Sequence, residues 1–204
     1  MSMKKIHFAA LLLFLHLTAQ AQTEKGRWTA GLSVGSFSYQ SNKSGHNFSS
    51  NLSPSVGLFI MPNFLAGLGV PLGFSSSKYT ITNSFAKNTN TRVGLSPFAR
   101  YYFGTSSLKP LVSLAVAYEY LNLSAESTPD LVFTTKGSML QVTPAVGVAY
   151  FINRSISLDA LLGYNWDKTK LKGSGTSSIP YTDSSEYTTR NATLTIGFNI
   201  FFGQ

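Results

Sequence analysis

Apolar residues alternate with small or polar residues along most of the chain, from Trp28 almost to the end. Neighbouring residues of a β-strand point to opposite faces, so each alternating stretch predicts a strand with one apolar face. Turn-forming residues bound every stretch, and nothing after Trp28 shows the helical period of about 3.6 residues. The pattern predicts eight strands, which cover residues 28–34, 52–60, 64–74, 92–103, 108–121, 139–152, 155–166 and 191–202.

The segments that connect these strands alternate between short and long. Short turns are predicted at Pro62-Asn63, at 104–107 and around Asn153. Long polar loops are predicted at 41–50, 75–90, 124–137 and 168–187. Such alternation is typical of an up-and-down meander, in which consecutive strands are neighbours and one end carries the elaborated loops.

The residue types on the two faces indicate which face is outside. One face carries Leu, Val, Ile, Ala and aromatic residues without a charged side chain, whereas the other carries glycine, serine, threonine and the few charges. An eight-stranded barrel is too narrow to hold the bulky set inside. A bilayer accepts that set, and a lysine or arginine there would cost about 2–4 kcal/mol at mid-membrane. The sequence therefore predicts an all-β fold, an eight-stranded antiparallel up-and-down transmembrane β-barrel; a soluble exported barrel or sandwich is the less favoured alternative.

Aromatic residues on the apolar face cluster near both ends of the predicted strands, as two interfacial girdles require. We expect one girdle at the short-turn end, from Trp28, Phe64, Tyr101, Phe103, Tyr150 and Phe202. We expect the other at the long-loop end, from Phe74, Tyr118, Tyr120, Tyr164 and Trp166. Pro71, Pro97 and Pro144 fall inside predicted strands, where proline removes a ladder hydrogen bond, so we expect bulges or locally frayed pairing there.

Composition narrows the class of protein further. Of the 204 residues, 12% are charged, whereas an average soluble domain has about a quarter. The absence of cysteine excludes disulfides, thiolate catalysis and Cys-ligated metals. We expect no cofactor and no metal, because no loop offers a dense set of histidine or acidic ligands. The formal charge of +8 does not indicate nucleic-acid binding, because the basic residues are scattered singly.

The first 21 residues have the composition of a secretory signal peptide. Lys4 and Lys5 precede an apolar core at 8–17, and Ala19 and Ala21 supply the small residues that a signal peptidase requires. The core is shorter than the roughly 20 apolar residues that a membrane-spanning helix needs. We expect cleavage after Ala21, which leaves residues 22–204 as a single barrel domain.

Two motifs carry a family resemblance. A Ser/Thr-Pro frame opens three of the strands, at Leu52-Ser53-Pro54, Leu95-Ser96-Pro97 and Val142-Thr143-Pro144. Near the chain end, a polar residue is followed by a glycine and then by apolar residues up to an aromatic, namely Thr195, Gly197, Ile200 and Phe202. With these motifs the chain resembles the single-barrel outer-membrane proteins common in Bacteroidetes and, more distantly, the OmpX/OmpA type of eight-stranded barrel. The resemblance implies insertion into the outer membrane of a Gram-negative cell by the barrel-assembly machinery, for which those four residues would be the signal.

Four charged residues on the small-residue face are predicted to form a polar network in the lumen: Arg92, Arg100, Glu119 and Asp159. A turn centred between Thr105 and Ser106 would place Arg92 directly opposite Glu119. Arg100 and Asp159 should both lie near the short-turn end. The favoured interpretation is a network that packs the lumen and blocks water. The alternative is a charged constriction in a narrow, porin-like channel for small solutes.

The predicted loops offer few candidates for chemistry. His46 is the single histidine outside the predicted signal, and no acid is placed beside it, so we expect no enzyme activity; a lipid-modifying barrel enzyme is the less favoured alternative. Basic loop residues would face the outer leaflet and its lipopolysaccharide phosphates, namely Lys43, Lys78, Lys87, Lys168, Lys170 and Lys172. We expect a monomer in the cell outer membrane, with a structural or surface-interaction role such as lipid contact, adhesion or envelope integrity.

Overall fold

The computed structural model describes residues 23–42, 45–81, 84–127, 131–175 and 181–203, and most of them lie in β-strands. The predicted signal peptide lies outside the described residues, so its cleavage stays a prediction. Among the described residues, no helix is long and apolar enough to span a membrane. The strands are β1 (Trp28–Asn42), β2 (Gly45–Met61), β3 (Phe64–Gly69), β4 (Leu72–Ile81), β5 (Ser84–Tyr102), β6 (Leu108–Ser127), β7 (Leu131–Asn153), β8 (Ile156–Gly175) and β9 (Tyr181–Phe202).

The strands form one antiparallel sheet that closes on itself. Except for β3 and β4, strands adjacent in the chain pair with one another, and β1 also pairs with β9, from Trp28 opposite Phe202 to Val34 opposite Ile196. β3 and β4 together occupy a single position in this ring, because both pair with β2 on one side and with β5 on the other. The ring therefore has eight positions, and the predicted eight-stranded up-and-down arrangement is confirmed.

The strands are longer than the alternation predicts. β6 to β9 have 20 to 23 residues each, whereas a strand needs about 9–11 to cross a bilayer. The four predicted long polar loops are wrong, because most of their residues continue the ladder; β8 and β9, for example, stay paired out to Gly175 and Tyr181. Alternation stops where both faces of a strand meet water, but the backbone continues to pair, so the polar segments are arms of extended hairpins.

The apolar face points outward, as predicted. Leu95, Leu114, Val146 and Leu162 at mid-strand are each more than half exposed, which in a membrane protein is surface for lipid. Of the eleven aromatic residues assigned to the two girdles, ten are exposed on this wall and Phe64 is half-buried. Short turns lie at one end and long hairpins at the other; in outer-membrane barrels the short turns face the periplasm, so the resemblance implies that orientation here.

The prolines inside the strands interrupt the ladder without changing its register. The pairing between β5 and β6 is missing at Pro97, and the pairing between β7 and β8 is missing at Pro144. On β2, the interruption at Pro54 lies opposite the break between β3 and β4. Val70, in that break, donates its N–H to the Pro54 carbonyl at 2.8 Å. The expected fraying is confirmed at Pro71, Pro97 and Pro144, and none of these gaps is a bulge, because no strand gains a residue there.

A bulge does occur in β1, where Gly35 is an extra residue between Val34 and Ser36. An extra residue exchanges the two faces of a strand beyond it. Phe37 and Tyr39 are consequently the outward side chains past the bulge, 72% and 62% exposed, and Ser36 turns toward the lumen. The bulge thus extends the aromatic wall of β1 while supplying a hydroxyl inside.

Candidate functional site

Four aromatic rings cross the lumen just above the short turns and form what we call the four-ring plug: Phe59, Tyr102, Phe151 and Phe201. Each ring contacts two others, with centroid distances of 5.8 Å (Phe59–Tyr102), 6.2 Å (Tyr102–Phe151), 5.2 Å (Phe151–Phe201) and 6.1 Å (Phe201–Phe59). All four side chains are at most 2% exposed, and Leu65, Leu111, Ala149 and Leu161 complete the cluster. The lumen therefore ends in a dry apolar layer, which the alternating pattern does not predict.

Two cations lie against the plug at the short-turn end. The Arg27 guanidinium is 5.9 Å from the centre of the Phe201 ring and donates to the Arg154 carbonyl at 3.0 Å. The Lys109 ammonium is 5.8 Å from the Phe151 ring and donates to the Gly104 carbonyl at 3.1 Å. Contacts of this kind hold a cation over an aromatic face. Both side chains therefore help to close the short-turn end of the lumen.

A buried ion pair lies on the outer side of the plug. Arg100 Nη1 is 3.1 Å from Asp159 Oδ2, and the Asp159 side chain is fully buried. The carboxylate also accepts hydrogen bonds from Ser157 Oγ at 2.8 Å and from Asn199 Nδ2 at 2.8 Å. Gly31 makes room for this arrangement, because a Cβ at position 31 would collide with the Asn199 amide. Two predicted lumen residues, Arg100 and Asp159, are thus direct partners.

The predicted pairing of Arg92 with Glu119 is wrong by two residues. Arg92 lies opposite Leu121, and Glu119 lies opposite Gly94. The turn between β5 and β6 is longer than assumed, because Leu108, Lys109 and Pro110 pair with β7 and the ladder with β5 starts only at Leu111. Arg92 and Glu119 are therefore diagonal neighbours on the inner wall, without an ion pair between them among the described contacts.

Arg92 has a different partner. Its Nη2 donates to Asn51 Oδ1 at 2.5 Å, and Asn51 Nδ2 donates in turn to Ser36 Oγ at 2.6 Å. The bulge at Gly35 supplies this serine. Arg92 is accordingly held on the side of the lumen formed by β1, β2 and β5.

A second polar network lies on the opposite side and was not predicted. Asp167 accepts hydrogen bonds from Gln141 Nε2 at 2.8 Å and from Asn191 Nδ2 at 3.2 Å. Asn165 joins it by donating to Asn191 Oδ1 at 2.7 Å and accepting from Thr143 Oγ1 at 2.7 Å. The signal is visible in the sequence, since Asn165 and Asp167 alternate with the outward Tyr164 and Trp166.

A cavity of about 400 Å³ lies above the plug, and residues of both networks form part of its wall. Phe98, Arg100 and Leu161 line its inner end, and Ser36 and Asn191 at its outer end are exposed to solvent. Between them the wall mixes small apolar residues with many hydroxyl-bearing ones, namely Ser33, Ser53, Ser55, Ser96, Ser113, Thr143, Thr193 and Thr195. The lumen is therefore a blind pocket of mixed polar and apolar lining that opens toward the extended hairpins, and it is less completely packed than expected.

The outer wall carries a group of cations at the level of the outer aromatic girdle and just beyond it, which we call the basic wall: Lys136, Lys168, Lys170, Lys172 and Arg190. All five are exposed and lie on the same face as Trp166. Glu186 bridges two of them, at 2.7 Å from Lys168 Nζ and 3.3 Å from Lys170 Nζ. Hydrogen bonds from these two lysines lower the pKa of Glu186, so it stays ionised.

The other predicted residues are dispersed. Lys78 and Lys87 face each other on β4 and β5, and Lys87 lies 3.5 Å from Glu126. His46 is exposed on β2 opposite Ser41 and Lys78. Lys43 is outside the described residues. Of the predicted assembly signal, Thr195 and Gly197 lie on the inward face of β9, and Ile200 and Phe202 lie on its outward face.

Solved structures of low sequence identity share this fold. The translocator domain of the autotransporter NalP from Neisseria meningitidis has a TM-score of 0.57 at 14% identity, over 98% of this chain and 78% of that chain. A major outer membrane protein from Thermus thermophilus has a TM-score of 0.53 at 14% identity, over 88% and 100%. The outer membrane protein OprG from Pseudomonas aeruginosa has a TM-score of 0.51 at 13% identity, over 90% and 99%.

No curated protein matches the sequence. The family comparison does find a match, in two overlapping parts, at residues 8–120 and 64–204. Together with the closed ring of strands and the apolar outer wall, these matches show that the chain belongs to the outer membrane protein beta-barrel domain family and is a protein of the cell outer membrane.

Proposed function

We propose that this protein is a non-conducting barrel with a structural or surface-interaction role in the outer membrane. The observation that carries the proposal is the four-ring plug, which fills the lumen with side chains at most 2% exposed. An ion that passed this layer would lose its water without gaining a ligand, and such a transfer is very costly. The Arg100–Asp159 pair on the outer side of the plug adds a second obstruction.

Planar-bilayer recording of the purified wild-type barrel tests this proposal. We expect no discrete channel events, because the plug leaves no continuous water path. Stable, ohmic single channels from the wild-type protein would contradict the proposal and favour a narrow solute channel. An enzymatic role has less support, since His46 is exposed and has no hydrogen-bonded acid among the described residues.

The basic wall supports a specific interaction, with the phosphates of outer-leaflet lipopolysaccharide. Lys168 follows Trp166 by two residues on the same face, so the lysines of β8 begin about 7 Å along the strand beyond the girdle. That position is level with lipid headgroups. Five cations and one ionised Glu186 leave four positive charges in excess on this surface.

The arrangement of lysines is itself unfavourable without an anion. Lys136 lies directly opposite Lys172 across β7 and β8, and like charges in this relation destabilise a sheet. Neither lysine has an acidic partner among the described residues. A phosphate between the strands would be attracted by both ammonium groups, which supports the proposed contact.

The double variant Lys136→Gln, Lys172→Gln should bind phosphorylated lipid A roughly 30-fold more weakly, because each basic residue near an anionic surface contributes about 1 kcal/mol. Native mass spectrometry of the detergent-solubilised protein with phosphorylated and dephosphorylated lipid A measures this. Lys25→Gln with Arg154→Gln, two exposed cations at the periplasmic end, is the matched control and should bind like wild type. Equal binding of the two lipids by wild-type protein would rule the contact out.

We also propose that Thr195, Gly197, Ile200 and Phe202 act as the signal for the barrel-assembly machinery. Their position on β9 supports this role, because β9 is the strand that completes the ring by pairing with β1. The barrel-assembly machinery would bind β9 through this signal and release it when β9 pairs with β1.

A further inference from the structure

Glu119 is the one carboxylate of the lumen that the described contacts leave without a hydrogen bond or an ion pair. It lines the cavity and is only 5% exposed. A buried carboxylate that accepts no hydrogen bond and forms no ion pair is unfavourable, and proteins normally pair such a group or bind a cation to it. The other lumen acids, Asp159 and Asp167, both accept hydrogen bonds from neighbouring side chains.

The charges that face Glu119 favour a cation at this position. Arg92 attracts the carboxylate and Asp167 repels it, while Arg92 donates to Asn51 on the far side. Arg100 is matched by Asp159 at the inner end of the cavity. The outer part of the cavity therefore has two acids, Glu119 and Asp167, against one arginine, and an excess of one negative charge.

The rest of the lining indicates what else the ligand carries. Serine and threonine hydroxyls and the amides of Gln141, Asn165 and Asn191 contribute polar groups to the wall between the charged residues, where glycine, alanine and a few larger apolar residues make up the rest. Hydroxyls and amides both donate and accept hydrogen bonds, so they complement a hydroxylated molecule. A volume of about 400 Å³ lies in the range of small-molecule pockets.

We propose that the outward-facing cavity binds a small hydroxylated amine in its protonated form, with the ammonium group at Glu119 and Asp167. The ammonium supplies the cation that Glu119 lacks, through a charge-assisted hydrogen bond. The hydroxyl groups of the ligand take the place of water along the serine- and threonine-lined wall. The plug closes the cavity beneath the ligand, so the site exchanges ligand with the cell exterior. This binding activity goes beyond the structural role proposed above.

Saturation-transfer NMR of the full-length mature protein in detergent tests the site, with glucosamine buffered below the pKa of its amine as the probe. N-acetylglucosamine is the matched ligand, because it keeps the hydroxyl groups and lacks the charge. We expect saturable binding of glucosamine, and at least tenfold weaker binding of the acetylated sugar. The absence of saturable glucosamine binding, or equal affinities for the two sugars, would overturn the proposal.

The variant Glu119→Gln removes the charge with almost no change in shape. Its dissociation constant for glucosamine should rise at least tenfold, whereas Glu126→Gln, a carboxylate on the outer wall, should leave it unchanged. Faster migration of unboiled protein in SDS electrophoresis verifies that each variant has folded. An unchanged affinity in folded Glu119→Gln would also overturn the proposal, and if that variant does not fold, the comparison of the two sugars on wild-type protein decides.

Discussion

Replacement of Asp159 by Asn should reduce the free energy of unfolding by about 3–5 kcal/mol, the usual cost of removing one partner from a buried ion pair. The variant keeps the shape of the side chain but leaves the Arg100 guanidinium, which is 11% exposed, facing a neutral amide. The aromatic plug on one side limits access of water to this charge. Urea unfolding of the detergent-solubilised barrel, followed by the fluorescence of Trp28 and Trp166 on the outer wall, measures the change.

A double variant distinguishes the stability that the ion pair contributes from the destabilisation caused by an unpaired buried charge. Arg100→Leu with Asp159→Leu removes both charges, and apolar replacement of a whole buried pair is often neutral or stabilising. We therefore expect the double variant to be more stable than Asp159→Asn. A loss of less than about 1 kcal/mol in Asp159→Asn would show that water reaches Arg100, as at an exposed ion pair.

The variant Phe59→Ala, Phe151→Ala removes two diagonal rings of the plug. It should convert a non-conducting barrel into one that shows discrete channel events in planar bilayers. Tyr102 and Phe201 would remain, but both of the ring contacts that each of them makes are to the deleted residues. The polar cavity would then connect with the periplasmic end. Each Phe→Ala change in a core costs about 3–5 kcal/mol, so folding must be verified by heat-dependent gel mobility.

The matched control removes side chains from the lipid-facing wall at adjacent positions. Ile60→Ala with Tyr150→Ala alters the residues next to Phe59 and Phe151 in sequence, on the opposite face of the same strands. This control should show no channel events. Silence of a folded Phe59→Ala, Phe151→Ala barrel would show that the Arg100–Asp159 layer alone blocks the lumen.

The sequence predicts which face of each strand points outward, because lipid on that side excludes charged side chains. A residue such as Leu114 or Leu162 either faces hydrocarbon or does not, and a charge at such a position is costly. The same rule predicts the two aromatic girdles and the inward positions of Arg100 and Asp159. The Ser/Thr-Pro frame likewise predicts interrupted pairing, because proline lacks the N–H that the ladder requires.

Strand length and register could not be predicted in the same way. Beyond Trp166 the outward positions become lysine, and alternation no longer distinguishes strand from loop, although β8 continues to Gly175. Register depends on where each turn begins. Leu108 is part of β6 because it pairs with Tyr150 of β7, and it has no partner in β5. The turn sequence alone contains no information about β7, so it cannot predict where β6 begins.

The plug was missed although the sequence contains a trace of it. Three of its rings stand beside an outward aromatic: Tyr102 beside Tyr101, Phe151 beside Tyr150, and Phe201 beside Phe202. Two large apolar residues in succession break the alternation at the short-turn end of each strand. Such a pair indicates that the lumen is apolar at that level, since one member of the pair must point inward.

The extended hairpins determine which parts of the protein large molecules outside the cell can touch. β7 has 23 residues, of which about 9–11 cross the hydrocarbon. The remaining dozen, rising about 3.4 Å each along a strand inclined by about 45°, lift the hairpins roughly 25–30 Å above the bilayer. The proposed contact with lipopolysaccharide would place its sugars around the walls over much of that height, where they cover the lysines of the basic wall. An antibody or a bacteriophage tail would therefore reach the hairpin tips first, and sequence change at the tips would alter recognition without disturbing the wall beneath.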